Sequence, residues 1–146
     1  MSATDDDSER RSSSPPPLTV VDLGQQAAEV AAGTPSRLMA RLNESGVRLS
    51  VYRGEGNWHA HKDIDECFVV LEGALSIDIF AGPVIEVGPG QMVAIPGGTV
   101  HRPRAVQRTV LLCFKRLEGH TDYFELVAPG ETATASSARL SSGNPR

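Results

Sequence analysis

The alternation of apolar and polar positions divides the chain into three parts. Residues 1–17, "MSATDDDSERRSSSPPP", are polar, charged and end in three prolines, and residues 130–146, "GETATASSARLSSGNPR", are small and polar. Neither stretch has enough apolar surface to offset the entropy of ordering it, so both are expected to be disordered tails around one domain over 18–129. Within that domain "LTVVDL" (18–23) reads as a strand, and the alanine-rich "GQQAAEVAAG" (24–33) as a short helix closed by Gly33. Beyond the helix the period becomes two. "RLMARL" (37–42) and "VRLSVYR" (47–53) predict strands joined by the turn "NESG", with Val47, Leu49 and Val51 alternating with Arg48, Ser50 and Tyr52. "NWHAH", "ECFVVLE", "ALSIDIF", "PVIEV", "QMVAIP", "TVHRPRA" and "RTVLLCFKR" follow, broken by "KDID", Gly73, "AGP", "GPG", "PGG" and "AVQ". Six glycines fall between residues 73 and 98, where tight turns need them. Many short strands at such spacing predict an all-β antiparallel sandwich or barrel.

A length of 146 residues suits one domain and a modest core. The net charge of −4, without a long basic stretch, argues against a nucleic-acid partner. No apolar run is long enough to span a membrane, and the N-terminus lacks a basic segment followed by an apolar one. A soluble cytoplasmic protein with no membrane partner is the expectation. Cys67 and Cys113 have neither metal nor redox spacing, and both are expected to pack as buried thiols.

The chemistry concentrates in "NWHAHKDIDECFVVLEG", residues 57–73. Side chains two apart on a strand share a face, so His59 and His61 point the same way. A turn through "KDID" lets Glu66 open the next strand, on one face with Phe68 and Val70 and opposite to Cys67 and Val69. If the histidines face a barrel interior, Glu66 can face it as well, and two imidazoles with a carboxylate suit a divalent transition metal. His101 opens another strand after "PGG", and closure of the sheet is what would bring it to that face. Phe68 and Val70 are then candidates for the pocket wall. Tyr52 joins them if its face of the strand is the inner one. If Val47, Leu49 and Val51 face the core instead, Arg48 and Tyr52 point outward. Trp58, one residue from His59, points away from the site, and Asp63 and Asp65 stabilise their turn. Arg102, Arg104 and Arg108 read as a solvated strand edge in preference to an anion clamp. His120 reads as a solvated loop residue.

These residues resemble the two motifs of the cupins. The first, G-x5-H-x-H-x3–4-E-x6-G, is met by His59, His61, Glu66 and Gly73; its opening glycine is one position out, at Gly54. The second, G-x5-P-x-G-x2-H-x3-N, is met by Gly90, Pro96, Gly98 and His101, with Ala105 replacing the asparagine. The resemblance covers about residues 46 to 116 and is strongest to small single-domain cupins. It implies a double-stranded β-helix (jelly-roll) barrel, here with a short N-terminal helix, in which His59, His61, Glu66 and His101 bind one divalent ion. Iron, manganese, nickel, cobalt, copper and zinc all suit that donor set. It further implies a small-molecule substrate or ligand and a homodimer. An oxygenase is the leading expectation. A metal-dependent isomerase, lyase or cyclase, or a non-catalytic binding or sensor protein, stand as alternatives. The resemblance assigns no catalytic residue beyond the ligands.

Overall fold

A single long strand is shared by most of the sheet. The computed structural model describes residues 14–125 and the two-residue strand Ala138–Arg139. Among the described residues one helix, α1 (Leu23–Ala28), precedes ten strands. They are β1 (Arg37–Leu42), β2 (Ser45–Glu55), β3 (Trp58–His61), β4 (Glu66–Glu72), β5 (Leu75–Ile79), β6 (Val84–Val87), β7 (Met92–Ile95), β8 (His101–Arg116), β9 (Thr121–Phe124) and β10 (Ala138–Arg139). Every pairing is antiparallel, and β8 pairs with β2, β3, β4 and β5. Strand β7 extends the sheet beyond β4, and β6 extends it beyond β5. Residues 1–13 of the first tail and most of the second lie outside the described residues; residues 138 and 139 pair with Tyr123 and Asp122 on β9. No helix among the described residues is long and apolar enough to cross a membrane.

The start of the domain differs from the expected strand over 18–23 and helix over 24–33. Leu18 and Val20 are exposed, with no strand beside them. Asp22 instead caps α1, its carboxylate accepting a hydrogen bond from the Gln25 N–H at 2.9 Å. The helix stops after six residues, and the chain turns at Gly33 (φ +87°), whose N–H donates to the Val51 carbonyl at 3.1 Å. Alanine propensity is a weak preference, and this anchor to β2 overrides it.

Both faces of β2 and β8 are covered. On one, Leu49, Val51, Val110 and Leu112 pack with Met39 of β1 and with Ala27 and Val30 from the helical segment. On the other, Leu111 joins Phe68, Val70, Leu75, Ile77, Val87 and Ile95. Each large aliphatic side chain so buried contributes about 1.5–3 kcal/mol. Because α1 and β1 cover the Leu49 face, the other face of β2 turns to the barrel interior. Of the two faces left open for β2, the inner one belongs to Arg48 and Tyr52: Arg48 is buried, and with Ser50 and Tyr52 it lines the interior cavity.

Strand β8 serves so many partners by bulging in the middle. Its pairing with β2 jumps from Tyr52↔Thr109 to Gly54↔Ala105, leaving residues 106–108 without a β2 partner. Thr109, fully buried, pins the bulge by accepting from the Ala74 N–H at 3.2 Å and donating to the Ala74 carbonyl at 3.0 Å. Gly73 passes close beneath it with φ +84°; a Cβ there would lie 2.7 Å from the Arg108 carbonyl oxygen. Gly90 also has positive φ, at +77°, but has open space around it. Gly90→Ala should therefore cost about 1 kcal/mol from the left-handed backbone alone. Gly73→Ala should cost clearly more, because backbone must move as well. Urea unfolding of the two variants beside the parent checks the order.

Candidate metal centre

Sheet pairing brings the predicted residues together. His59 on β3 lies opposite His101 on β8, and Glu66 on β4 lies opposite Lys115 near the other end of β8. The turn between His61 and Glu66 is held against the turn that precedes His101. The Gly98 N–H donates to the His61 carbonyl at 2.9 Å, and the Gly97 N–H donates to Asp65 Oδ1 at 2.9 Å. Both turns take left-handed residues, Asp63 (φ +58°) and Gly98 (φ +82°). Asp65 thus braces the turn and has no contact with the site's centre.

His59, His61, Glu66 and His101 each offer one ligand atom, and these atoms lie within 4.8 Å of one another. Glu66 Oε1 is 3.2 Å from His101 Nε2 and 3.5 Å from His61 Nε2. Neighbouring ligands around an ion with bonds of about 2.1 Å stand about 3.0–3.4 Å apart, so these separations suit one ion. The second nitrogen of each ring is engaged outside the cluster. His59 Nδ1 meets the Asn57 carbonyl at 2.8 Å, His101 Nδ1 the Thr99 carbonyl at 2.8 Å, and His61 Nδ1 the Thr121 hydroxyl at 2.9 Å. Such outer partners set the tautomer and orientation of metal-binding histidines. His61 Nε2 is buried and has no hydrogen-bond partner among the described residues. A buried nitrogen left in this way costs free energy unless a ligand or ion meets it.

The electrostatics match the donor set. Burial pushes the Glu66 carboxyl upward, but the hydrogen bond with His101, with His61 close by and the charge of Lys115, outweighs it and holds the group well below the usual carboxylate range. Burial lowers the His59 imidazole to about 4, against the raising effect of its hydrogen bond to Asn57. A charged carboxylate and a neutral imidazole are the forms that ligate a metal. The other carboxylate oxygen, Oε2, is occupied by the Cys113 thiol, which donates at 3.1 Å, and by Lys115 Nζ at 3.8 Å. Oε1 is thereby left to the histidines. Burial raises the Cys113 thiol far above its ordinary value, and the Glu66 charge adds to that.

A cavity of about 280 Å³ opens beside the cluster. His59, His61, Glu66, Phe68 and Tyr52 line it. Val70 does not: it shares the face of Phe68 but sits wholly buried in the core with Leu75 and Ile77. Sequence reasoning missed Arg48, Cys113, Lys115, Thr121 and Tyr123, all of which line the cavity. Leu111, Cys113 and Lys115 are two apart on β8, a signal visible in the sequence. Thr121 and Tyr123 pair with His61 and His59 through β3–β9 contacts, which have no local signal.

The remaining residues have structural partners. Arg102 and Arg104 form neither a solvated edge nor a free anion clamp, because both hold Asp78; Arg104 does so with two bonds of 2.7 and 2.8 Å. Chiefly through Arg104, against opposing burial, the Asp78 carboxyl is held below its usual range. Arg102 also pairs with Glu55 and stacks on Trp58, 4.9 Å from the ring centroid. Trp58 faces away from the cluster and meets Phe80 edge to face at 6.4 Å. Arg108 pairs with Glu72 at 3.4 Å and donates to the Ala27 carbonyl at 2.9 Å. His120 is exposed.

Comparison with known proteins agrees with this geometry. Residues 47–114 match the family model for the cupin domain. The YdbB protein of Bacillus subtilis is 41% identical over 87 residues, which cover 60% of this chain and 77% of that one. A cupin-2 domain protein of Shewanella frigidimarina, solved by crystallography, is similar with a TM-score of 0.64 and 29% identity, over 66% of this chain and 94% of that one. The hydroquinone 1,2-dioxygenase of Sphingomonas sp. TTNP3, solved with 4-hydroxybenzoate bound, has a TM-score of 0.57. Its identity is 16%, over 70% of this chain and 81% of that one, so the likeness is one of fold.

The lowered His59 sets a pH dependence for the metal-free protein. The folded form keeps this ring neutral down to about 4, whereas an unperturbed imidazole protonates below 6.5. Between those values the unfolded chain binds the extra proton, so stability falls as pH falls. Thermal melts in chelator should lose Tm from pH 6.5 to 4, and His59→Ala should lose less over the same window.

Proposed function

Because the chain belongs to the cupin family, we propose that His59, His61, Glu66 and His101 hold one divalent transition-metal ion and that the adjoining cavity takes a small organic molecule. The carrying observation is His61 Nε2, buried without a hydrogen-bond partner among the described residues and set at the convergence of two more imidazoles and a carboxylate. His101 supports the reading. It has an acceptor at each ring nitrogen, the Thr99 carbonyl and Glu66 Oε1, so either a second ring proton or a cation must sit between Nε2 and the carboxylate. Four protein ligands would hold such an ion and would leave it room for a substrate or water. A bound ion supplies Lewis acidity or, if redox-active, oxygen activation.

Around that ion the protein's own groups orient and exclude water. Cys113 and Lys115 hold one oxygen of Glu66 and keep the other toward the histidines. Phe68, Leu75 and Leu111 give the cavity apolar walls. An oxygenase is favoured over an isomerase or cyclase, because those need a proton-moving base near the substrate and two of the cavity's protic groups are unsuited to that role. Burial keeps the Cys113 thiol and the Tyr52 phenol protonated, and the Tyr52 hydroxyl donates to the Pro103 carbonyl at 3.3 Å.

Elemental analysis of protein purified without chelator or added metal should find about one transition metal per chain. His59→Ala and His101→Ala should lose it. A metal-free parent that takes up no added iron, manganese, nickel, copper or zinc overturns the reading. Thr121→Val, which removes the hydroxyl that orients His61, should weaken metal affinity about 10–100-fold in a chelator competition. On iron(II)-loaded protein, oxygen uptake that needs both protein and a member of a panel of small phenols and organic acids supports the oxygenase. Uptake that no member stimulates counts against it.

A further inference from the structure

One buried cation in the cavity has no hydrogen-bond or ion-pair partner among the described residues. Arg48 is 7% exposed, lines the cavity, and makes no hydrogen bond or ion pair with the described residues. The other barrel arginines of this region are matched: Arg102 and Arg104 with Asp78, and Arg108 with Glu72. Arg48 sits on β2 directly across from Cys113, which is in turn across from Phe68 on β4, so its side chain shares the inner face with theirs. Lys115 adds a second positive charge to the same wall, 3.8 Å from Glu66 Oε2. The cavity's one carboxylate is thus already engaged by two imidazoles, a thiol and an ammonium. A guanidinium withdrawn from water without an acceptor is costly, and a ligand that supplies the acceptor recovers that cost.

We propose that Arg48 selects the ligand of this cavity, a small organic carboxylate whose carboxylate group it binds while the remainder lies along Phe68, Leu75 and Leu111. This rests on the reading of the cavity as a small-molecule site. The planar fork of one guanidinium matches a carboxylate through two parallel bonds. Ser50, two residues on and also lining the cavity, offers a hydroxyl on the same face. The apolar walls match a hydrocarbon body, which free phosphate lacks.

Benzoate and benzamide share shape and differ in charge, and titration of each into the purified protein by calorimetry separates charge recognition from apolar fit. Metal content is measured on the same samples. The parent should bind benzoate at least about tenfold more tightly than benzamide, the difference expected for one charge-assisted hydrogen-bonded pair. Arg48→Gln should bring the two ligands within about twofold, and Arg48→Lys should keep part of the preference. His101→Ala should keep the preference even without metal, which separates Arg48 from chelation by the ion. Circular dichroism establishes that each variant is folded; if Arg48→Gln is not, the comparison of the parent with Arg48→Lys and His101→Ala decides. Absent benzoate binding, equal affinity for both ligands in the parent, or full preference in folded Arg48→Gln overturns the inference. Inorganic phosphate displacing benzoate at equal concentration also overturns the assignment to a carboxylate. Parent protein that takes up no added metal yet retains an Arg48-dependent preference overturns the metal reading alone. Metal-loaded protein that lacks the preference overturns this inference alone.

Discussion

Glu66 is a charged carboxylate with 4% of its surface exposed, and the barrel is arranged around the need to keep it paired. An ionised group withdrawn from water is tolerated only where hydrogen bonds and opposite charge replace its hydration. Its partners come from two strands other than its own. β3 delivers His61, and β8 delivers His101 from its first residue and Cys113 and Lys115 from near its last. One strand reaches the same carboxylate twice because the bulge at residues 106–108 redirects it. Thr109 and Gly73, outside the histidine–glutamate cluster, hold that bulge and so help to place the cluster's residues.

The same division of labour runs outward from the histidines. Each ring has one nitrogen directed at the centre and the other held by a carbonyl or a hydroxyl, from Asn57, Thr99 or Thr121. Two of these contacts are backbone carbonyls just before β3 and β8, and the third is the side-chain hydroxyl of Thr121 on β9. The tight turns before Glu66 and His101 brace one another through Asp65 and Gly97. Ligand geometry is therefore set by backbone that is itself hydrogen-bonded, the condition under which a site is organised before it binds anything.

Stability and recognition occupy opposite faces of one strand. The outer side of β2 carries Leu49 and Val51 into a core with Met39, Ala27 and Val30, while its inner side carries Arg48, Ser50 and Tyr52 to the cavity. Polar substitutions are affordable on the inner side because the outer core supplies much of the strand's burial. The barrel can thus vary its cavity without changing its architecture, consistent with a fold that hosts many activities.

By itself the sequence determined the strand-rich architecture, the shared face of His59 and His61, and the return of Glu66 after a four-residue turn. These depend on a period of two and on turn chemistry, both local properties. His101 was legible through the glycine and proline spacing of the second motif. Tertiary structure alone decided which face of β2 is inside, because alternation separates two faces without ranking them, and here both are covered. It also decided that Cys113 and Lys115 meet Glu66, that Val70 lies beneath the cavity, and that Asp78 occupies Arg102 and Arg104. Each of these is a choice of partner between residues 24 to 49 positions apart in the chain or a matter of depth within the core. Pairing register and sheet closure set them, and neither leaves a periodic trace along the chain.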